Sequence, residues 1–390
     1  MRRFDIALVA PVFGKRIFVF GRQHREAANF IKIACQVALR RNVGHAGWKI
    51  AACNGGFHDN DIVAMEYGLK MAGPNRDSMA HMGKSRAIRE DSMPATQPIR
   101  YIERTRAYYL ALGYDNPYQW AHHDDTPFTP LKQPLSGASV AIVTTAAPYQ
   151  ADKGDQGPGA AYNASAKFYR VYRGSTATMP DLRISHIAID RAHTSAEDIG
   201  TWFPLKAIQK AVSGGRVGAV ASHFYGLPSN RSQRTTLEQD CADLLAHCRG
   251  DGVDAAILVP NCPVCHQSTA LAARTLEEAG IATVIMGCAL DIVEHAGVPR
   301  FVFSDFPLGN SAGRPHDTAS QDRTLSLALD LLEGATEPGT TAHSPLIWPG
   351  PPDWREDYSN PDRLSPEDLA KRRADFDKIK AVAQQQRDGS

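Results

Sequence analysis

No stretch of this sequence approaches the ~18 apolar residues needed to cross a membrane as a helix, and no membrane partner is expected. It also lacks an excess of either charge. Its 390 residues carry 43 Lys and Arg against 42 Asp and Glu, a formal net charge of +1. No field of one sign is left over to attract nucleic acid, and none is expected as a partner. Charge is unevenly spread: Arg2 to Lys49 is basic, with Asp5 and Glu26 its only acids. That basic stretch reads as a solvated surface. The opening Met1 to Gly14 has a short apolar run, broken by Asp5 and Pro11, with no clean small-x-small cleavage site. It does not read as an export signal. Cysteines are few, seven in all, and their number is odd. The combination points to reduced thiols in the cytoplasm rather than a disulfide framework.

What is present centres on Asp254 to Gly280. Ala255 to Val259 is a short apolar run of strand length, and Ser268 to Ala279 has helical periodicity closed by Gly280. Between them stands Cys262-Pro-Val-Cys265-His266. Both thiols are thus expected at the carboxyl end of a strand and in the first turn of a helix. An open α/β sheet places its ligand crevice there. Free N–H groups and the helix dipole there favour a thiolate.

The rest of the chain is read around that unit, with three divisions: 1–95 of unclear role, 96–338 as an α/β core, and 339–390 as a proline-rich linker with a charged helix. In the first, helices are expected over 28–39 and 61–71, a turn-rich loop over 54–61, and a polar, flexible stretch over 79–92. Cys35 reads as packing; Cys53 has no partner pattern. Ile99 to Gly113 reads as an amphipathic helix, and Tyr118 to Leu135 as an extended wrap. His122, His123, Asp124 and Asp125 are adjacent, so they read as loop residues rather than metal ligands. Strands are expected over 140–144, 184–189, 217–221, 255–259, 282–286 and 301–303, with a possible edge strand over 168–172. Helices are expected over 204–212, 235–248, 268–279, 318–332 and 365–386. Cys241 and Cys248 fall on the apolar stripe of their helix. The alternation predicts an α/β fold: a mostly parallel sheet with helices on both faces, doubly wound and Rossmann-like. Thr145, Asp190, His193, His223, Tyr225, Cys288, Ser304 and Asp305 would then share a rim with the cysteine motif.

Three chemistries compete for Cys262-x-x-Cys265-His266. One cysteine could attack as thiolate and the other resolve the adduct, with His266 as acid or base and Pro263 restricting the loop. The motif is also that of c-type haem attachment, which normally needs an exported chain. A structural zinc site would need two more ligands, and only Cys288 and His223, by tertiary convergence, could supply them. Two buried thiols without a role is the bland alternative.

The runs Asp251 to Thr269 and Glu278 to Val284 resemble the glycine/sarcosine/betaine reductase and D-proline reductase selenoprotein family, in its selenoprotein B-like members. Trp202-Phe-Pro-Leu205, Tyr101 to Leu135 and Ile184 to Asp190 are similar to further family elements. The similarity spans roughly residues 99–287. It implies a thiol-dependent reductase that breaks a C–N or related bond of a small amino-acid-like substrate. Cys262 then stands where the family has selenocysteine, as nucleophile, and Cys265 is the resolving thiol. It implies a dithiol electron donor, a thiol reductant protein, a second reductase subunit and an oligomer, with no resident cofactor evident. His223, His193, Asp190 and Cys288 are the expected substrate-binding residues. The alternative is a zinc-holding or scaffold subunit whose partner carries the catalysis.

Overall fold

The computed structural model describes the backbone of residues 17–19, 48–49, 63–67, 97–184 and 186–388. The chain divides into two compact units, Met1–Glu90 and Asp91–Ser390. The first contains an antiparallel sheet in the order β1-β3-β2, from β1 (Ile17–Val19), β2 (Trp48–Lys49) and β3 (Val63–Tyr67). A helix was expected over 61–71, yet Val63–Tyr67 is a strand. Val63, Met65 and Tyr67 alternate as apolar residues with good strand propensity, and a period of two overrides the weak helical pattern. The expected helix over 28–39, the loop over 54–61, the flexible stretch over 79–92, and Cys35 and Cys53 lie outside the described residues.

In the second unit a seven-strand path runs β13-β12-β11-β10-β4-β9-β6, and β8 also pairs with β4. The strands are β4 (Ser139–Thr144), β6 (Tyr172–Ser175), β8 (Ala219–Val220), β9 (His223–Gly226), β10 (Ala255–Val259), β11 (Ala282–Gly287), β12 (Arg300–Phe303) and β13 (Thr340–His343). All pairings are parallel except that of the edge strand β6 with β9. The expected α/β, doubly wound sheet is what forms. Two short strands, β5 (Ala147–Pro148) and β7 (Leu182–Arg183), make a separate antiparallel pair.

Residue alternation decides which side each helix covers. Val140, Ile142, Ile257, Val259, Val284 and Met286 pack with Leu205 and Ile208 of α2 (Leu205–Ser213) and with Leu325 and Leu329 of α6 (Thr318–Gly334). Ala141, Val143, Ala256, Leu258 and Ile285 face the other way. They meet Leu244 and Cys248 of α3 (Ala242–Gly250), Leu271 and Leu276 of α4 (Pro263–Glu278), and Val293 of α5 (Leu290–Ala296). A side chain such as Ile257 or Leu258, wholly enclosed, contributes about 1.5–3 kcal/mol. Cys241 and Cys248 are core residues, as their spacing indicated. The turns leading into α3 are π-helical over Thr236–Cys241.

Three expected elements differ. Ile184 to Ile189 is not a strand; beyond Arg183 the described chain is irregular. Its carbonyls are taken up by a side chain instead of a ladder: Arg191 donates to Ile187 O at 3.1 Å and also to His186 O. The strand expected over 217–221 is only Ala219–Val220, and β9 follows it. His223 and Tyr225 therefore lie within a strand, not beyond one. The linker expected from Gly339 begins with β13, which extends the sheet beside β12. Trp354, in α7 (Trp354–Asp357), and Tyr358 are buried against Tyr101, Cys288 and Phe306. Tyr101 opens α1 (Tyr101–Ala111), the helix expected near 99–113. The charged helix expected at the end is α8 (Pro366–Asp388).

Candidate active site

From β4 the chain goes out to the edge strand β6, comes back through β8 to β9 beside β4, then crosses to β10 and runs outward the other way through β11, β12 and β13. The switch lies between β4 and β10, and a doubly wound sheet opens its crevice at the carboxyl ends there. Thr145 follows β4, and Asn261 and Cys262 follow β10. Helix α4 begins at Pro263, five residues before the expected start. Pro263 suits the first helical position because its missing N–H had no partner to lose. Cys262 is the N-cap, its Sγ accepting from Cys265 N–H at 3.4 Å.

The two sulfurs lie 2.7 Å apart. Cys262 is 4% exposed and Cys265 wholly buried beneath it. Burial raises both thiols, but their partners split them. Cys265 is carried well below the ordinary thiol range against its burial by the Cys262 thiol beside it and by the influence of His186 and Thr145. Cys262 is held high, first by burial and then by its hydrogen bond with Cys265. An N-cap position alone would put the first thiolate on Cys262. The donors around Cys265 outweigh it.

His266 is fully buried, with both ring nitrogens engaged. Nδ1 donates to Cys262 O at 2.8 Å, while Nε2 accepts from Cys288 N–H at 2.9 Å and Ala289 N–H at 3.2 Å. Two N–H groups facing Nε2 fix the neutral tautomer. The ring packs on Gly287, where a Cβ would come within 2.9 Å of it. His266 thus ties the cysteine loop to the β11–α5 turn. Burial lowers its pKa to about 4, below the ~6.5 of an unfolded His. The folded state then binds fewer protons, so this contribution is complete above about 6.5 and lost as pH falls through about 4. His266→Gln should remove roughly 3 kcal/mol of acid sensitivity over that window. Urea midpoints measured at several pH values check this; equal pH slopes for parent and variant would contradict it.

The other expected site residues divide. Cys288 follows β11 on the same edge, but burial pushes its thiol up to about 12 and its sulfur sits 3.7 Å from Ser311 Oγ, in the cluster with Tyr101. Asp190 is buried and bonds His193 Nδ1 at 3.0 Å; His193 Nε2 lies 3.4 Å from Asp357. This pair does not follow a strand. Tyr358, whose hydroxyl donates to Ala188 O at 2.9 Å, is raised first by burial and then, more weakly, by Cys262 and Asp190. His223 is not part of the site. It bonds Asp251 at 3.0 Å, as does Tyr225 at 2.7 Å, and Asp251 precedes β10, at the amino edge of the sheet.

Two contributors were not singled out from sequence: His186, which lowers the Cys265 thiol, and Asn261, whose Nδ2 donates to Thr145 Oγ1 at 3.0 Å. His186 lies inside the 184–190 stretch already noted for its family similarity. Around Cys262 stand the hydroxyls of Tyr109, Tyr118, Tyr162 and Tyr358 and the guanidinium of Arg191, all within its electrostatic reach. With His223 at the far edge and Cys288 turned toward Ser311, the two extra zinc ligands do not assemble. Among the described residues no group of three His, Cys, Asp or Glu is arranged to hold a metal. No described helix is long and apolar enough to cross a membrane.

Fold and site together define an α/β protein with a buried dithiol at the switch point of its sheet. The chain is similar to curated subunits of D-proline and glycine reductases. It is 29% identical over 208 residues to D-proline reductase subunit gamma of Acetoanaerobium sticklandii, covering 53% of this chain and 82% of that one. It is 23% identical over 232 residues to glycine reductase complex component B subunit gamma of Symbiobacterium thermophilum, covering 58% of this chain and 52% of that one. The second match thus spans about half of that relative's length. No family model and no solved structure matches the chain.

Proposed function

We propose that this chain is the thiol-bearing subunit of a reductase that cleaves a C–N bond in a small amino-acid-like substrate. The observation that carries the reading is the Cys262–Cys265 pair, sulfurs in contact at the switch point, with the inner thiol shifted to the lower pKa of the two. Cys262, the outer sulfur, attacks carbon; its proton passes to Cys265 as it does so. Cys265 then attacks Cys262 and releases the reduced product, leaving a disulfide. A dithiol donor restores the pair. His266 keeps the loop in register through its carbonyl bond to Cys262, a positioning role. Asp190, His193 and Cys288 are proposed to shape the substrate side through Tyr101 and Tyr358.

Both relatives are named as subunits, so a second subunit is proposed as the partner. D-proline and glycine, from the relatives' names, are the first substrates to try. The complex isolated with this chain should, with dithiothreitol, convert D-proline to its ring-opened amino acid or release ammonia from glycine. Turnover of neither by that complex would count against the substrate class. Zinc bound stoichiometrically and lost only on unfolding would favour the metal-holding alternative.

A further inference from the structure

We propose that Asn261 is a substrate-binding residue, its side-chain oxygen accepting an N–H of the amine that is to leave. This rests on the reading of function above. Asn261 directly precedes Cys262 and is fully enclosed. Its Nδ2 donates to Thr145 Oγ1 at 3.0 Å. Thr145 follows β4 and Asn261 follows β10, so the amide spans the two strands between which the crevice opens. The other end of that amide is different. Asn261 Oδ1 is enclosed and has no partner among the described residues. Enclosing an acceptor without a donor costs folding free energy. Such an atom beside a nucleophile is accounted for when a ligand supplies the donor.

The loop that carries the amide is fixed at three successive residues. Ser311 Oγ donates to Pro260 O at 2.6 Å, Thr145 takes the Asn261 amide, and His266 donates to Cys262 O at 2.8 Å. Thr145 also lowers the Cys265 thiol. A hydroxyl does that with its proton, which leaves its lone pair for Nδ2 and Oδ1 at the free end of the amide. The chemistry of C–N cleavage matches this placement. The nitrogen is one bond from the carbon under attack, and Asn261 is one residue from the sulfur that attacks it. An amide oxygen accepts an N–H without removing the proton. The C–N bond breaks with its electron pair on nitrogen, so an ammonium nitrogen keeps its protons and departs as the neutral amine. The Cys262 sulfur takes the carbon, and its own proton goes to Cys265. A carboxylate in place of the amide would compete for the proton on nitrogen.

The test separates binding from turnover. The complex isolated with this chain, carrying Cys262→Ser to stop the chemistry, is titrated calorimetrically with two pairs of ligands. D-proline is set against (R)-tetrahydrofuran-2-carboxylate, and glycine against acetate; the second of each pair lacks the N–H donors. The amine should bind about 10–100-fold more tightly than its partner, the range for a hydrogen bond to a charged group. Asn261→Leu on the same background should weaken the amine by about that factor and leave its partner within about threefold, so that the preference disappears. Asn261→Asp keeps an acceptor in the same place and should keep the preference. A general loosening of the loop would instead weaken both ligands alike. That result, or an undiminished preference in Asn261→Leu, would overturn the proposal, as would loss of the preference in Asn261→Asp; if the leucine variant does not fold, the aspartate variant decides. If the Cys262→Ser complex binds neither D-proline nor glycine, the reading of function fails, and this inference with it.

Discussion

Cys262→Ser is expected to lower dithiol-dependent turnover by about a thousandfold or more while leaving the protein folded. The reason is chemical. A serine hydroxyl is not ionised near neutral pH, and an oxygen bonded to carbon offers Cys265 no sulfur to attack. The structural cost is small, because serine is a good helix N-cap and can take the Cys265 N–H that Cys262 now receives,. Cys265→Ser should differ in kind. Cys262 keeps its sulfur but loses the acceptor of its proton, so the covalent adduct should form more slowly, accumulate once and not turn over. Steady-state assay with intact-mass measurement separates the two. Parent-level activity in Cys262→Ser would sink the nucleophile assignment.

Arg300→Ala is expected to cost about 3–5 kcal/mol of folding stability, the range for stripping one partner from a buried ion pair. Arg300 and Glu277 are both fully enclosed and 2.8 Å apart. Glu277 also accepts from the N–H groups of Thr129 and Thr283 and from Thr283 Oγ1, and Arg300 donates to Thr129 O and Thr283 O. The guanidinium lies 4.2 Å from the Phe128 ring centre. The pair therefore clasps the extended wrap around Thr129 to α4, β11 and β12. Arg300→Met with Glu277→Gln should cost much less than either single change, because no charge is left buried alone. Urea unfolding of the three variants measures this. An Arg300→Ala cost below about 1 kcal/mol would contradict the clasp.

Sequence showed the site's framework where local signals were strong. Ala255–Val259 forms the strand its apolar run indicated, and the cysteine pair sits at the following helix start. The helix begins at Pro263 because proline at the first helical position and cysteine at the N-cap look like loop until the backbone is seen. His223 went to the wrong edge because one expected strand is two short ones. A group then moves from beyond a strand into it, and from the carboxyl to the amino side. His186 was hidden for the opposite reason: its segment has no periodicity, being held by Arg191. The Glu277–Arg300 clasp joins residues remote in sequence from Thr129, and no spacing rule encodes it.

The most direct test of the dithiol is a redox titration. The reduced full chain is equilibrated in buffers of graded dithiol-to-disulfide ratio, quenched with an alkylating agent, and read cysteine by cysteine. Cys262 and Cys265 should leave the alkylated pool together, as one two-electron couple joined to each other, while Cys241, Cys248 and Cys288 stay reduced. If Cys262 and Cys265 oxidise independently, or remain reduced across the range, they are not a working redox pair.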